Sequence, residues 1–382
     1  MNGSESFRDV VLSYGDLSHS SGYRTRVLGE LEHLDQNPYL LLFDRDPERF
    51  EREARINQPF RAVPRSSVFR FYLEVARLAR QKPIRLVHAH NLYSAALALS
   101  ARRLHNYRVI LDYHGRIPEE YVFLGKGRET SKRALERLEE WTVRKADHVV
   151  VVSQQLADYL ASRYGVAKER ITVIPCATNS TLFRWDPSLR SQTRLRLGLE
   201  GRFVCIHLGS FFEWYEPELL VRAFGEIRDA VQGAMLLVVS ADTDKVSEYL
   251  ASRLPPGSFS VISARHHDVP AYLNAADLGF LLLRSTPNIQ TSSPVKFAEY
   301  LNCGLPVLIT PQVGDYSELI EQGAAGIVME PGKPVSLERL KDTREQLAAR
   351  CVSAGKPLTW QALGNKWQNA IDRACGSVAL KR

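Results

Sequence analysis

Short apolar runs alternate with amphipathic stretches along the whole chain. Asp9–Tyr14 (DVVLSY) is apolar through its centre, passes into a small polar loop, Gly15–Gly22, and then into RTRVLGELEHL, whose apolar positions recur at helical spacing. Residues 84–88 (IRLVH), 108–113 (RVILDY) and 147–152 (DHVVVV) are further β-branched runs, each leading through polar residues into a helical stretch. The pattern restarts in the second half, with strands predicted at 203–208, 234–239, 258–262, 278–283, 306–309 and 326–328. Helices are predicted between them, for instance at Pro217–Arg228 and Pro294–Cys303. Strands that are apolar throughout, rather than on alternate positions, are covered on both faces, so these strand–helix repeats predict parallel sheets flanked by helices. Two α/β domains follow, 1–185 and 186–358, divided where TLFRWDPSLRSQTRLRLGLEG breaks the strand pattern. A last segment, 359–382, carries the amphipathic helix Thr359–Ala374.

Composition narrows the class. With 382 residues, 45% apolar and 24% charged, the chain is globular and is neither disordered, collagen-like nor a coiled coil. No apolar run approaches the ~18–20 residues of a membrane-spanning helix. The start, MNGSESFRDVVLSYG, lacks a basic and then apolar leader, so a cytoplasmic location is expected. Cys176, Cys205, Cys303, Cys351 and Cys375 show no C-x-x-C spacing, which favours buried reduced thiols over a disulfide framework or zinc site.

The net charge of +7 is uneven: all of the excess falls within 1–185, and 186–382 is balanced. A basic domain concentrates anionic partners, and an anionic membrane surface is a candidate. The stretch Arg61–Arg85 holds seven basic residues against one acid, Glu74, interleaved with Phe69, Phe71, Tyr72, Leu73, Val75 and Leu78. It reads as a scaffold helix with solvated arginines, or as an interfacial helix on the inner face of the plasma membrane. Lys126–Arg144 reads as a solvated helix of mixed charge. No nucleic-acid-binding motif is present, so nucleic acid is not an expected partner.

Ligands of open parallel sheets sit at the carboxyl ends of the strands, so the chemistry is sought there. The densest constellation is Thr291–Pro306, TSSPVKFAEYLNCGLP. Ser292–Ser293–Pro294 enters a helix whose first N–H groups and dipole suit an anion. Lys296 adds a point charge, and Glu299, further along the helix, suits a pair of hydroxyls such as a ribose diol. A nucleoside diphosphate fits this element, as does an ordinary capped helix. Asp242–Thr243–Asp244 has the D-x-D form of a metal–nucleotide site but is placed to cap the helix that follows. His88 and His90 share a strand face, with no third metal ligand spaced near them, and His90 is placed at a strand end on the acceptor or sugar side. No metal site is expected. No phosphate-binding P-loop and no G-x-S-x-G elbow occur.

The segment SSPVKFAEYLNCGLPVLITPQVGDYSELIEQGAAGIVME resembles the donor-site signature of family-4 retaining glycosyltransferases (group 1) of the GT-B fold. ADHVVVVSQQLADYLASRYGVAKERITVIPCATNSTLF, LVHAHNLYSAALALSARRL, LDYHG and the terminal TWQALGNKWQNAIDR resemble other segments of that family in the same order, so the resemblance covers nearly the whole chain. It implies two Rossmann-like domains facing across a cleft that closes on the substrates, with the last helix crossing back to the first domain. It implies transfer of a sugar from a nucleoside diphosphate sugar to a glycan, lipid-linked or small-molecule acceptor with retention, needing no metal or other cofactor. Carried over residue by residue, it makes Glu299 the ribose ligand and the backbone of Ser292, Ser293, Pro294 and Val295 the diphosphate cradle, with Lys296 supplying charge. It places His114 at the donor sugar near the anomeric centre, Gly22 and Gly209 where backbone approaches phosphate or acceptor, and Arg265 and His266 in the loop beside the base.

The chain departs from that pattern. Thr291, with Gln290 beside it, stands where the family has a sugar-holding glutamate. Ser210 and the aromatic Trp214–Tyr215 stand where an arginine and a lysine usually meet the diphosphate. The departure at Thr291 leaves a second reading, a degenerate GT-B subunit that only binds a partner or glycan, and a third is a GT-B-like epimerase acting on the nucleotide sugar without an acceptor.

Overall fold

The computed structural model describes residues 8–17, 22–34, 37–53, 56–323, 325–330 and 332–376. The chain divides into two compact units, Met1–Cys176 with Trp360–Arg382, and Ala177–Thr359. The first division falls at 176/177 and not at 185/186, because Phe183 is buried in the core of the second unit and Thr178 bridges to Thr359 there.

The first unit holds seven parallel strands: β1 Arg8–Tyr14, β2 Tyr39–Asp44, β3 Phe60–Pro64, β4 Ile84–His90, β5 Arg108–Tyr113, β6 His148–Val151 and β7 Ile171–Val173. Their order across the sheet is β3-β2-β1-β4-β5-β6-β7. The central strands are apolar on both faces and buried, Val10–Leu12, Leu40–Phe43 and Val109–Leu111 among them. β2, β3 and β7 add to the strands expected from the sequence. β3 and β7 are edge strands, short and partly exposed, and β3 ends in Pro64, which has no N–H to give a further neighbour.

The second unit repeats the plan with β8 Val204–Leu208, β9 Met235–Val239, β10 Phe259–Ile262, β11 Leu278–Leu281, β12 Val307–Ile309 and β13 Gly326–Val328, ordered β10-β9-β8-β11-β12-β13 and parallel. Successive residues of one strand feed opposite cores: Val204, Ile206 and Leu208 enter one apolar cluster and Cys205 the other, and Leu237 and Val239 divide likewise from Leu236 and Val238. In each sheet the strand order reverses once, between β1 and β4 and between β8 and β11. Such reversals are where an open parallel sheet takes its ligand, at the carboxyl ends of the strands.

The terminal helix, Trp360–Cys375, packs on the helix Gly22–His33 within the first unit. Trp360 and Trp367 are fully buried. A Cβ on Gly29 would lie 2.2 Å from the Trp360 indole, so this helical glycine exists for a close approach. No helix among the described residues is long and apolar enough to cross a membrane. The five cysteines are free, and all but Cys375 are buried.

The basic stretch Arg61–Arg85 resolves into β3 and the helix Arg70–Gln81, which turns Phe71, Val75 and Leu78 inward. Arg61 and Arg77 both pair with Glu74, at 2.7 and 2.8 Å, while Phe69 and Leu73 stay exposed. The helix Glu129–Lys145 is not simply solvated, since its Glu139 is completely buried.

Candidate active site

In the second unit β8 delivers the chain to Gly209, whose φ of +95° lies in the region that favours glycine. A Cβ there would sit 2.4 Å from Lys296 Nζ and 2.7 Å from its Cε, so the lysine crosses the backbone at the one residue type that leaves room. Lys296 Nζ donates to Tyr215 Oη at 2.6 Å and lies 4.6 Å from that ring's centroid. Tyr215 is held in turn by a bridge to Leu283, just past β11. His207 Nε2 donates to the Ser210 carbonyl at 2.9 Å. Burial, and then the Lys296 charge, hold His207 down at about 3, so the imidazole is neutral. The loop 209–215 is thus pinned at both ends around an ammonium group.

Lys296 belongs to the helix Val295–Asn302, entered through Pro294 at φ −60°, ψ 120°. The first N–H groups of a helix have no intrahelical partner. Ser293 Oγ pairs with Tyr316 Oη at 2.5 Å and Ser292 Oγ donates to the Ile289 carbonyl at 2.9 Å, so both hydroxyls brace the turn. One turn on, Glu299 is buried, with Oε1 3.3 Å from His266 Nε2. His266 packs against Phe183 with ring centroids 5.2 Å apart, and Arg265 beside it is exposed. The helix therefore presents a cation and a carboxylate on one face, with the 265–266 loop beside the carboxylate. Thr291 spends its hydroxyl on the carbonyls of Pro287 and Asn288, at 3.2 and 3.1 Å, and Gln290 Nε2 donates to Gln312 at 3.1 Å. Asp242 does stand at the N-cap of the helix Thr243–Ala251, but its side chain makes no capping bond.

In the first unit the carboxyl ends of β4 and β5 carry a buried cluster that the sequence reading found only in part. His114, just past β5, places Nε2 2.6 Å from Asp112 Oδ2. Arg26 grips the same carboxylate with two bonds of 2.7 Å. His90 lies behind, with Nδ1 3.1 Å from Asp112 and Nε2 3.1 Å from Glu30, and His88 Nδ1 is 2.9 Å from the other Glu30 oxygen. Glu30, His88, His90 and Asp112 are entirely buried, so His90, expected at a strand end on the acceptor or sugar side, ends β4 with its ring enclosed behind His114. Of the histidine pair, His90 and not His88 meets two further groups with ligand atoms. Donor atoms of His90, Asp112 and His114 fall within 4.8 Å of one another, although Arg26 already occupies both Asp112 oxygens.

The charges in this cluster balance. Burial alone would lower His90, but Glu30 and Asp112 raise it to about 9, so it carries a proton at neutral pH. Burial also opposes ionisation of Asp112, yet Arg26 and His114 hold it well below the usual carboxylate range. Glu30 is lowered against its own burial by His90 and His88. For His114, burial prevails over Asp112 and lowers it, so the ring is neutral. With Nε2 facing a carboxylate, the proton is on Nε2, and Nδ1 is left as an acceptor on a partly exposed ring. Tyr23 packs against that ring at 5.3 Å. Tyr113, the neighbour of His114, donates to buried Glu139 and accepts from Ile117 N at 3.2 Å, which fixes the loop. Gly22 opens the helix Gly22–His33 at an exposed position.

His90 carries a pH prediction. Its folded value, about 9, exceeds the unfolded value near 6.5, so its contribution to stability is complete below about pH 6.5 and is lost as the pH rises through 9. Urea midpoints of the wild type should fall between pH 7 and 9.5. His90→Gln should be less stable at pH 7 and show a flatter profile over that range, and an unchanged slope would show that His90 is not the group involved.

The two parallel sheets, each with a single reversal of strand order, define a pair of Rossmann-like units, the GT-B fold. The fold is shared with the Anabaena HepE protein in complex with UDP, at a TM-score of 0.75 and 15% identity over 96% of this chain and 100% of that one. It is shared also with sucrose-phosphate synthase of Thermosynechococcus elongatus, at a TM-score of 0.72 and 18% identity over 96% and 98%. Residues 24–182 match the family model for Glycosyltransferase Family 4, and residues 202–343 that for Glycosyl transferases group 1. The chain belongs to this glycosyltransferase family. Among curated relatives it is 25% identical over 302 residues to D-inositol 3-phosphate glycosyltransferase 1 of Catenulispora acidiphila, covering 75% of this chain and 70% of that protein. It is 24% identical over 311 residues to D-inositol 3-phosphate glycosyltransferase of Rhodococcus opacus, covering 77% and 67%.

The sequence reading missed Arg26, Glu30, Asp112 and Tyr23. Arg26 and Glu30 stand four apart on one helix face, a spacing that in sequence reads as a solvated polar pair and gives no sign of burial. Asp112 lies inside the quoted LDYHG, two residues before His114. Nothing local marks Tyr215 as the partner of Lys296.

Proposed function

We propose that this chain is a retaining, metal-independent glycosyltransferase that moves a sugar from a nucleoside diphosphate sugar to a hydroxyl of its acceptor. The observation that carries the reading is the corner at the carboxyl end of β8, where Lys296 lies across Gly209 and Glu299 follows one turn later beside His266. An ammonium and helix N–H groups suit a diphosphate, and the carboxylate suits a ribose diol. The HepE protein has been solved with UDP and with UDP-glucose, which supports a donor of this class. The acceptor named for the curated relatives, D-inositol 3-phosphate, supports a small polar molecule over a glycan or lipid-linked one.

In this mechanism the bond from the anomeric carbon to the diphosphate lengthens and charge gathers on the leaving oxygen. Lys296 and the helix N–H groups are preorganised to meet it. The acceptor oxygen bonds to the anomeric carbon on the face that the phosphate leaves, and its proton passes to the departing phosphate oxygen. His114, neutral and held by Asp112, accepts a hydrogen bond from a donor-sugar hydroxyl at Nδ1. Asp112 is committed to Arg26, which supports a reaction without a metal there.

The experiment is a thermal-shift panel of UDP, GDP, ADP, dTDP and CMP on the wild type and Glu299→Ala. One nucleoside diphosphate should stabilise the wild type, by about 2.7 kcal/mol at a hundredfold excess over Kd, and the variant should lose the effect. Thr291, braced inside its own turn in place of a sugar-holding glutamate, favours a second reading, a GT-B subunit that binds without turnover. That reading prevails if no nucleotide shifts the wild type, or if one binds and no sugar is transferred to any acceptor.

A further inference from the structure

Three of the six arginines of the basic stretch have carboxylate partners: Arg61 and Arg77 hold Glu74, and Arg85 Nε donates to Asp9 at 2.9 Å. Arg65 differs. It follows β3 directly, at the carboxyl end of the first sheet. Its backbone is fixed on both sides, since its N–H donates to the Asp44 carbonyl at 2.8 Å and its own carbonyl accepts from Tyr14 Oη at 3.3 Å. The guanidinium lies over the Tyr14 ring, with Cζ 5.3 Å from the centroid. Among the described residues no carboxylate pairs with it, and its Nε is shut off from solvent with no acceptor. With Nε sealed in and the terminal N–H groups unmatched, a half-buried guanidinium on a fixed backbone, stacked on one face, offers those terminal donors to a planar or tetrahedral anion.

Its neighbours tie the position to the reaction. Tyr14 ends β1, and its ring is 5.9 Å from that of exposed Tyr93. Ser13, next to Tyr14 at the end of β1, pairs through Oγ with Tyr23 Oη at 2.8 Å, and the Tyr23 ring packs on His114 at 5.3 Å. A run of contacts and chain neighbours, Arg65 to Tyr14, Ser13, Tyr23 and His114, thus follows the carboxyl ends of the strands of one unit.

We infer that Arg65 reads an anionic group, a phosphate or a carboxylate, on the acceptor. The inference rests on the glycosyltransferase reading for the word acceptor, and on Arg65 alone for the anion. The test is calorimetry on the full chain saturated with UDP, so that the second unit's phosphate site is filled. The probes are myo-inositol 1-phosphate, glucose 6-phosphate and glucuronate, each against its neutral parent, and sedimentation with phosphatidylinositol vesicles.

The wild type should bind at least one anionic probe tenfold or more tighter than its parent. Arg65→Gln should erase that preference, Arg65→Lys should keep part of it, and UDP should bind all three proteins alike. A preference for a soluble probe assigns a free anionic acceptor, and binding only to the vesicles assigns the same chemistry to a lipid headgroup. No preference in the wild type on any arm, or a preference that survives Arg65→Gln, overturns the inference. If UDP fails to bind, the donor reading fails, and the comparison of anionic with neutral probes still decides the role of Arg65.

Discussion

Asp112→Ala should destabilise the first unit by about 3–5 kcal/mol, the range for removing one partner of a buried ion pair. The reason is what remains. Arg26 loses both charge-assisted bonds and keeps only the carbonyls of Ile174 and Pro175, at 3.0 and 3.2 Å. His90 keeps its proton against Glu30 alone, and the buried cluster, balanced with two cations and two carboxylates, is left one positive charge in excess. The indole of Trp367 closes over Arg26, 5.8 Å from its Cζ, so the chain gives the stranded charge no ready way out to water. Urea unfolding followed by tryptophan fluorescence measures the loss. Asp112→Asn keeps the shape and removes the charge. It should unfold earlier than the wild type and still bind nucleotide through the second unit, while turnover falls because the His114 tautomer is no longer fixed. Wild-type midpoints in both variants would mean that the cluster is not ionic as described.

The same cluster shows what a sequence can and cannot disclose. Strand–helix alternation made the two parallel sheets legible, since apolar runs of this length and polarity have few other uses. Short edge strands carry too little pattern, and β3 and β7 went unseen. Glu299, Lys296 and His114 were legible because their neighbours in sequence carry the signature. Their partners were not. Tyr215 reaches Lys296 from eighty-one positions away in the chain, Arg26 reaches Asp112 from eighty-six, and Glu30 reaches His88 from fifty-eight. Such pairs are made by sheet order, and a helix face such as Arg26–Glu30 reads as an exposed polar stripe until the sheet beneath it is known. Burial misled in the same way at Glu139. In sequence it is one acid of a mixed-charge helix, yet three tyrosines, Tyr113, Tyr159 and Tyr164, close over its carboxylate.

Lys296→Met should lower kcat about 10²–10³-fold, the size of effect seen when one preorganised group that meets developing charge is removed. In this chain the effect should fall at the upper end. Ser210 supplies no charge here, and Arg284, the other cation that reaches the loop, spends its Nε on the Glu213 carbonyl at 2.7 Å, so Lys296 is the cation held against Gly209 and Tyr215. Gly209→Ala tests the geometry independently. Its Cβ would occupy the space of Lys296 Nζ, and alanine is also strained at a φ of +95°, so the lysine must swing away from the backbone. Each single variant should show nearly the same loss, and the double variant little more, because both remove the same ammonium from the same place. Tyr215→Phe takes away only the 2.6 Å bond to Lys296 Nζ and leaves the ring beneath it, so its loss should be smaller and should appear in kcat more than in nucleotide affinity. Steady-state kinetics on the four variants, with circular dichroism to confirm folding, decides the matter. Strictly additive losses in the double variant would show that Gly209 and Lys296 act separately, and the corner at β8 would then not be the place where the leaving phosphate is held.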